Sequence, residues 1–155
     1  MPENNEQVKR KKIWLEVVTP TKQELKKEVE YVVVPTIEGV VGILPGHIRL
    51  MTVVSTGVLR YKVDGETFIM AVSQGYLEVT PHKVIVLAEA AELPEHIDVE
   101  QALKDKRAAE DALHRPLRDK VNSVAAAANL ERAILMLQVA RKSGEMGSQE
   151  GFKKV

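Results

Sequence analysis

At 155 residues the chain is long enough for one ordinary domain or two small units, and 45% hydrophobic with 28% charged residues is the composition of a folded protein. Its 22 Lys and Arg balance 22 Asp and Glu, so no bulk field draws it to nucleic acid or to an anionic bilayer. The absence of cysteine excludes disulfides, thiolate nucleophiles and thiolate metal sites, and no apolar run approaches the ~20 residues that span a membrane.

Residues 1–11 read as a flexible polar lead. The basic cluster VKRKK at 8–12 is a solvated run by default; the segment has no apolar core for a secretory signal, and Glu3 and Glu6 oppose a transit peptide. With the missing cysteines this predicts a soluble cytoplasmic chain. From residue 12 to 91 the apolar residues come in short runs rich in Val, Ile and Thr, broken at close intervals by turn residues, which predicts an all-β unit. IWLEVV and VEYVVV are its first strands. EGVVGILPGHIRLM, at 38–51, then places Gly42, Pro45, Gly46 and His47 between two apolar runs. Pro holds φ at about −65° and Gly admits positive φ, so Pro45 and Gly46 make a stiff, preset turn that presents His47.

GVLRYKV, at 57–63, alternates Leu59, Tyr61 and Val63 against Val58, Arg60 and Lys62, and Asp64 with Gly65 closes a hairpin onto ETFIMAV. YLEV, the turn TPHK and VIVLA make a second hairpin. Many short strands without intervening helices predict a sandwich or flattened barrel. Trp14, Tyr31, Tyr61, Phe68 and Tyr76 fall at strand positions and are expected to pack in its core or along its edges.

The period turns helical in residues 92–143. Asp98 is the N-cap of a first helix with Val99, Ala102, Leu103, Ala109 and Leu113 along one face; Pro116 interrupts; a second helix covers about 122–142, with Gly144 as its stop. Two helices about a short break form an antiparallel hairpin, and stripes this dependent on Ala predict a weakly docked, movable element. Residues 144–155 are Gly-rich and polar, and read as a flexible tail. The fold class is therefore α+β: an N-terminal β-sandwich followed by a two-helix hairpin.

Catalytic chemistry is thin. His47, His82, His96 and His114 lie in separate segments without metal-ligand spacing, and no nucleophile elbow, phosphate loop or dinucleotide fingerprint is present. No catalytic residue, metal or cofactor is expected. Pairs such as Glu89 with Glu92 and Glu110 with Asp111 decorate solvated faces.

Four segments keep one order: EGVVGILPGHIRLM, STGVLRY, AVSQGYLEVTPHKVIVLAEAAE and IDVEQALKDKRAAEDAL. Together they resemble the epsilon subunit of the bacterial F-type ATP synthase, from about residue 13 to 142. The resemblance implies a sandwich of about ten strands with a C-terminal helical hairpin. It also implies a non-catalytic rotor-stalk subunit that couples proton-driven rotation of the c-ring to ATP synthesis and restrains ATP hydrolysis through its helices. The implied partners are the gamma subunit, the c-ring and the catalytic alpha/beta head; the implied location is the cytoplasmic face of the bacterial membrane, peripherally. The loop matching Gly42, Pro45, Gly46 and His47 would rest on the ring, although Val40 stands where the family often has an acid. Lys106, Arg107, Arg118, Lys120, Arg132 and Arg141 would be the helix bases that meet an acidic segment of the head. Some epsilon subunits bind ATP through an Ile/Leu-Asp-x-x-Arg-Ala motif. Here Ile97, Asp98, Gln101 and Ala102 match it except at the cation, with Glu92 and Arg132 as accessory positions, so feeble ATP binding or none is expected. Two readings of other classes stay open: a free-standing sandwich that dimerises through its helices, and a hydrolase with His47 as general base and Glu38 as its orienting acid.

Overall fold

The computed structural model describes residues 11–114 and 120–151. Ten strands come first: β1 (Ile13–Val18), β2 (Gln23–Val29), β3 (Tyr31–Thr36), β4 (Gly39–Ile43), β5 (Leu50–Val54), β6 (Gly57–Val63), β7 (Glu66–Val72), β8 (Gly75–Val79), β9 (Lys83–Ala88) and β10 (Ala91–Glu92). A 3-10 turn at Pro94–His96 leads to α1 (Val99–His114) and α2 (Lys120–Gly151).

Alternation builds the sheet. Ile13, Leu15 and Val17 of β1, and Val32 and Val34 of β3, point inward while their neighbours face out. The strand order is β10-β7-β6-β3-β5-β8-β9-β1-β2, with β4 added to β3, and β1 runs parallel to β9. Curling brings both inner faces onto one core, in which Leu15, Val34, Ile43, Leu59, Met70 and Leu77 are fully buried. The β6–β7 hairpin is closed as expected: Asp64 and Gly65 take φ of +49° and +89°, the type I′ pair that suits strand twist.

Several expectations are corrected. VEYVVV is not one strand, because Val29 closes β2 and Tyr31 opens β3. The charged segment QELKKEV becomes β2 by pairing along β1, Val29 opposite Ile13, so tertiary pairing overrides its poor strand propensity. Among the strand aromatics Tyr61 is buried and stacks on Phe68 at 5.5 Å, whereas Trp14 and Tyr76 stand 43% and 63% exposed. In α1 the buried residues are Ala102 and Ala109, and on the facing part of α2 they are Ala126 and Ala133. Small side chains let the helices approach closely along a narrow seam, which leaves Val99 and Leu103 of the expected stripe in solvent.

Finally, Gly144 does not stop the second helix, since α2 runs through it to Gly151 and much of the expected flexible tail is helical. A glycine ends a helix by taking positive φ, as Gly39, Gly46 and Gly65 do among the strands; Gly144 is not among the positive-φ residues. Kept in the helix interior it costs only about 1 kcal/mol relative to Ala. Pro116, read as the break between helices, lies outside the described residues. The sandwich itself ends later than residue 91: Glu92 pairs with Ala71 in the sheet, and Leu93 packs on the core.

Candidate functional site

The loop after β4 is a type II turn. His47 N–H donates to the Leu44 carbonyl at 3.1 Å and Gly46 has φ of +83°, the arrangement that favours Pro at the second position and Gly at the third. Gly46 N–H also donates to the Pro81 carbonyl at 2.9 Å, so the tip is braced by the β8–β9 turn. The sequence carries no signal for that brace, because a backbone-to-backbone bond leaves no side-chain signature. Leu44 and Ile48 beside the turn are 63% and 78% exposed, as is Val40 at 66%. His47 Nδ1 donates to the Ile48 carbonyl at 2.7 Å. Glu38 sits in the turn at the opposite end of β4, so the acid-oriented general base that a hydrolase needs is not assembled.

Away from the tip, the outer face of β5, β8, β9 and β1 carries an apolar row. Register aligns Val53, Tyr76, Leu87 and Val18 in one row across these four strands. Leu77 and Val86, next along β8 and β9, are buried, which turns this row outward. Met51 at 73%, Tyr76 at 63% and Leu87 at 49% are exposed there, around a shallow pocket of about 550 Å³ lined by Val18, Val53, Gly75, Tyr76 and Leu87. Glu16 borders the row, and hydrogen bonds from Lys83 at 2.9 Å and Lys26 at 3.1 Å hold its carboxyl below the ordinary range. The outer face of β7 is covered instead: Ile69 and Ala71 pack under Leu135 and Val139 of α2. One outer face is closed by the helices and the other is open.

The third feature is a groove of about 1030 Å³ between α1, α2 and the 3-10 turn. All six residues singled out for nucleotide, Glu92, Ile97, Asp98, Gln101, Ala102 and Arg132, line it, joined by His96, Asp105 and Asn129, which sequence reasoning missed. Its polar groups suit a triphosphate badly. Asp98 Oδ1 accepts the Gln101 N–H at 2.9 Å as a helix cap, and Gln101 Nε2 donates to Asp105 Oδ1 at 2.8 Å. The side chain at the motif's cation position is therefore engaged within its own helix. Glu92, Asp98 and Asp105 outnumber Arg132.

The helix bases divide. Lys106 pairs with Glu110 at 3.7 Å and Arg141 with Glu145 at 3.6 Å, each one turn away along its helix, while Arg107 and Arg132 are exposed. Arg118 and the side chain of Lys120 lie outside the described residues. Among the described residues no cluster of His, Asp or Glu is arranged to hold a metal ion, and no helix is long and apolar enough to cross a membrane.

Residues 12–94 match the family described as ATP synthase, Delta/Epsilon chain, beta-sandwich domain. The ATP synthase epsilon chain of Nitratidesulfovibrio vulgaris is 43% identical over 129 residues, 83% of this chain and 96% of that one. That of Carboxydothermus hydrogenoformans is 49% identical over 104 residues, 67% of this chain and 78% of the relative. Among solved structures, a chain of the mitochondrial ATP synthase of Euglena gracilis has the same fold, with a TM-score of 0.70 at 23% identity over 81% of this chain and 79% of the other.

Proposed function

We propose a division of labour that proceeds from one premise: the chain belongs to the ATP synthase epsilon family and is a non-catalytic rotor-stalk subunit of the F-type enzyme. In this reading the open apolar row takes the gamma subunit, the braced tip rests on the c-ring, and the helical pair is the brake on hydrolysis. Its place is the cytoplasmic face of the bacterial membrane, held through the complex. The observation that carries it is the asymmetry of the sandwich, which leaves Met51, Tyr76 and Leu87 in water on one outer face while α2 covers the outer face of β7. Exposed apolar patches rimmed by charge are what protein partners bury. A turn fixed by Pro45, a left-handed Gly46 and the Pro81 brace suits a contact that must carry torque.

The brake is tested by truncation. The cut belongs after Leu93 rather than after residue 91, because β10 and Leu93 are part of the sandwich. ATP hydrolysis by the reconstituted complex should rise about fivefold or more, the scale of ordinary regulatory coupling, with synthesis coupling kept. Hydrolysis unchanged by the truncation would remove the brake from the assignment.

Nucleotide binding is proposed to be weak. An Arg in place of Gln101 would add a charge-assisted contact worth about 1.5–3 kcal/mol, a gain of roughly tenfold to a hundredfold in affinity. Isothermal titration of ATP into both forms checks this. Tight binding by the unaltered chain would mean that Arg132 alone satisfies the phosphates.

A further inference from the structure

The two halves of α2 hold different partners. Its first half carries Ala126 and Ala133 against α1, while Leu135 and Val139 lie on Ile69 and Ala71 of β7, with Met136 and Met146 packed around them. This cluster is separate from the sandwich core. Val139 is fully buried, and Met146 extends the contact two turns further, beyond Gly144. Met146 reaches the sandwich only while the turn at Gly144 stays helical. An added Cβ on Gly144 would meet open space, and its φ is not left-handed, so nothing in the packing requires glycine there. What glycine contributes at such a site is weakness.

We propose that the end of α2 is a latch on the β-sandwich, with Val139 and Met146 as its grips and Gly144 as the weak turn that sets how often it releases. It rests on the reading of the helical pair as a releasable brake, and it names the residues that hold the pair down. Strengthening the turn should tighten the latch, and a charge on the outer grip should loosen it.

The chain has no cysteine, so Ala71→Cys places a single thiol directly beneath α2, and its maleimide labelling rate in the full chain reports release. Gly144→Ala should slow labelling about fivefold, the equilibrium equivalent of the ~1 kcal/mol helix preference. Met146→Glu should speed it about tenfold. In the Met146→Glu background, Gly144→Ala should lose most of its effect, because the turn then has no grip to deliver. Val58→Cys, half-buried at the margin of the same cluster, gives the same reading if Cys at 71 itself loosens the contact. Equal labelling rates with and without Gly144→Ala at both thiol positions, or a full Gly144→Ala effect without Met146, would overturn the latch. Labelling that shifts while hydrolysis by the reconstituted complex does not would leave the latch standing and remove the brake.

Discussion

Replacing Gly75 by Ala should abolish the folded sandwich or lower its melting temperature by about 15 °C, the shift that accompanies a loss on the order of 4 kcal/mol in a chain of this size. Gly75 opens β8 opposite Ala88 of β9, and also pairs with Val54 of β5. A methyl group there would run into the Leu87 carbonyl oxygen and stand 2.8 Å from the Ala88 Cα. Both are backbone atoms in a ladder, so neither can rotate aside, and the strands would have to part. Small additions to a tight core cost about 1–3 kcal/mol when side chains can yield; here none is available to yield. Gly42→Ala is the control, since a Cβ at Gly42 meets nothing within 4 Å. A melting temperature for Gly75→Ala close to that of Gly42→Ala would mean that the two strands are not this close.

Gly75 shows which part of the site was legible in the sequence. Its neighbours were read correctly as a strand, yet the close approach of two backbones places Tyr76 beside Leu87 on the outer face, and a backbone approach has no residue pattern of its own. The hairpin turn at Asp64 and Gly65 and the stiff turn at Pro45 and Gly46 were readable because their φ requirements select residue types. The residues of the helix groove were readable as a list, through the likeness of IDVEQA to a known motif. Their engagement was not, because the bond from Gln101 to Asp105 uses a pair four apart that any solvated helix could contain. The α2 stop failed for a related reason. Gly144 is a stop signal only if the chain turns there, and packing of Met146 on the sandwich cluster favours continuing.

Charge placed in the open row should separate the two proposed docking surfaces. Tyr76→Asp combined with Met51→Asp should weaken binding to the isolated gamma subunit by a hundredfold or more, since burying even one unpaired carboxylate costs roughly 3 kcal/mol. The fold should be untouched, because the two side chains are 63% and 73% exposed. Replacing Pro45 and Gly46 by Ala and Ala acts elsewhere. It forces a Cβ into φ of +83° and gives up the preset φ of proline, at a cost of about 1–3 kcal/mol confined to the tip. Binding to gamma alone should then stay near normal, while co-sedimentation with a complex of gamma and the c-ring should fall about tenfold. The crossed pattern is the test: the row variant loses gamma, and the tip variant loses only what the ring adds. If the tip variant bound gamma and ring complex as the parent does, the turn would be a structural feature of the β4–β5 connection. If the row variant still bound gamma, the apolar face would have to be covered by some other part of the rotor.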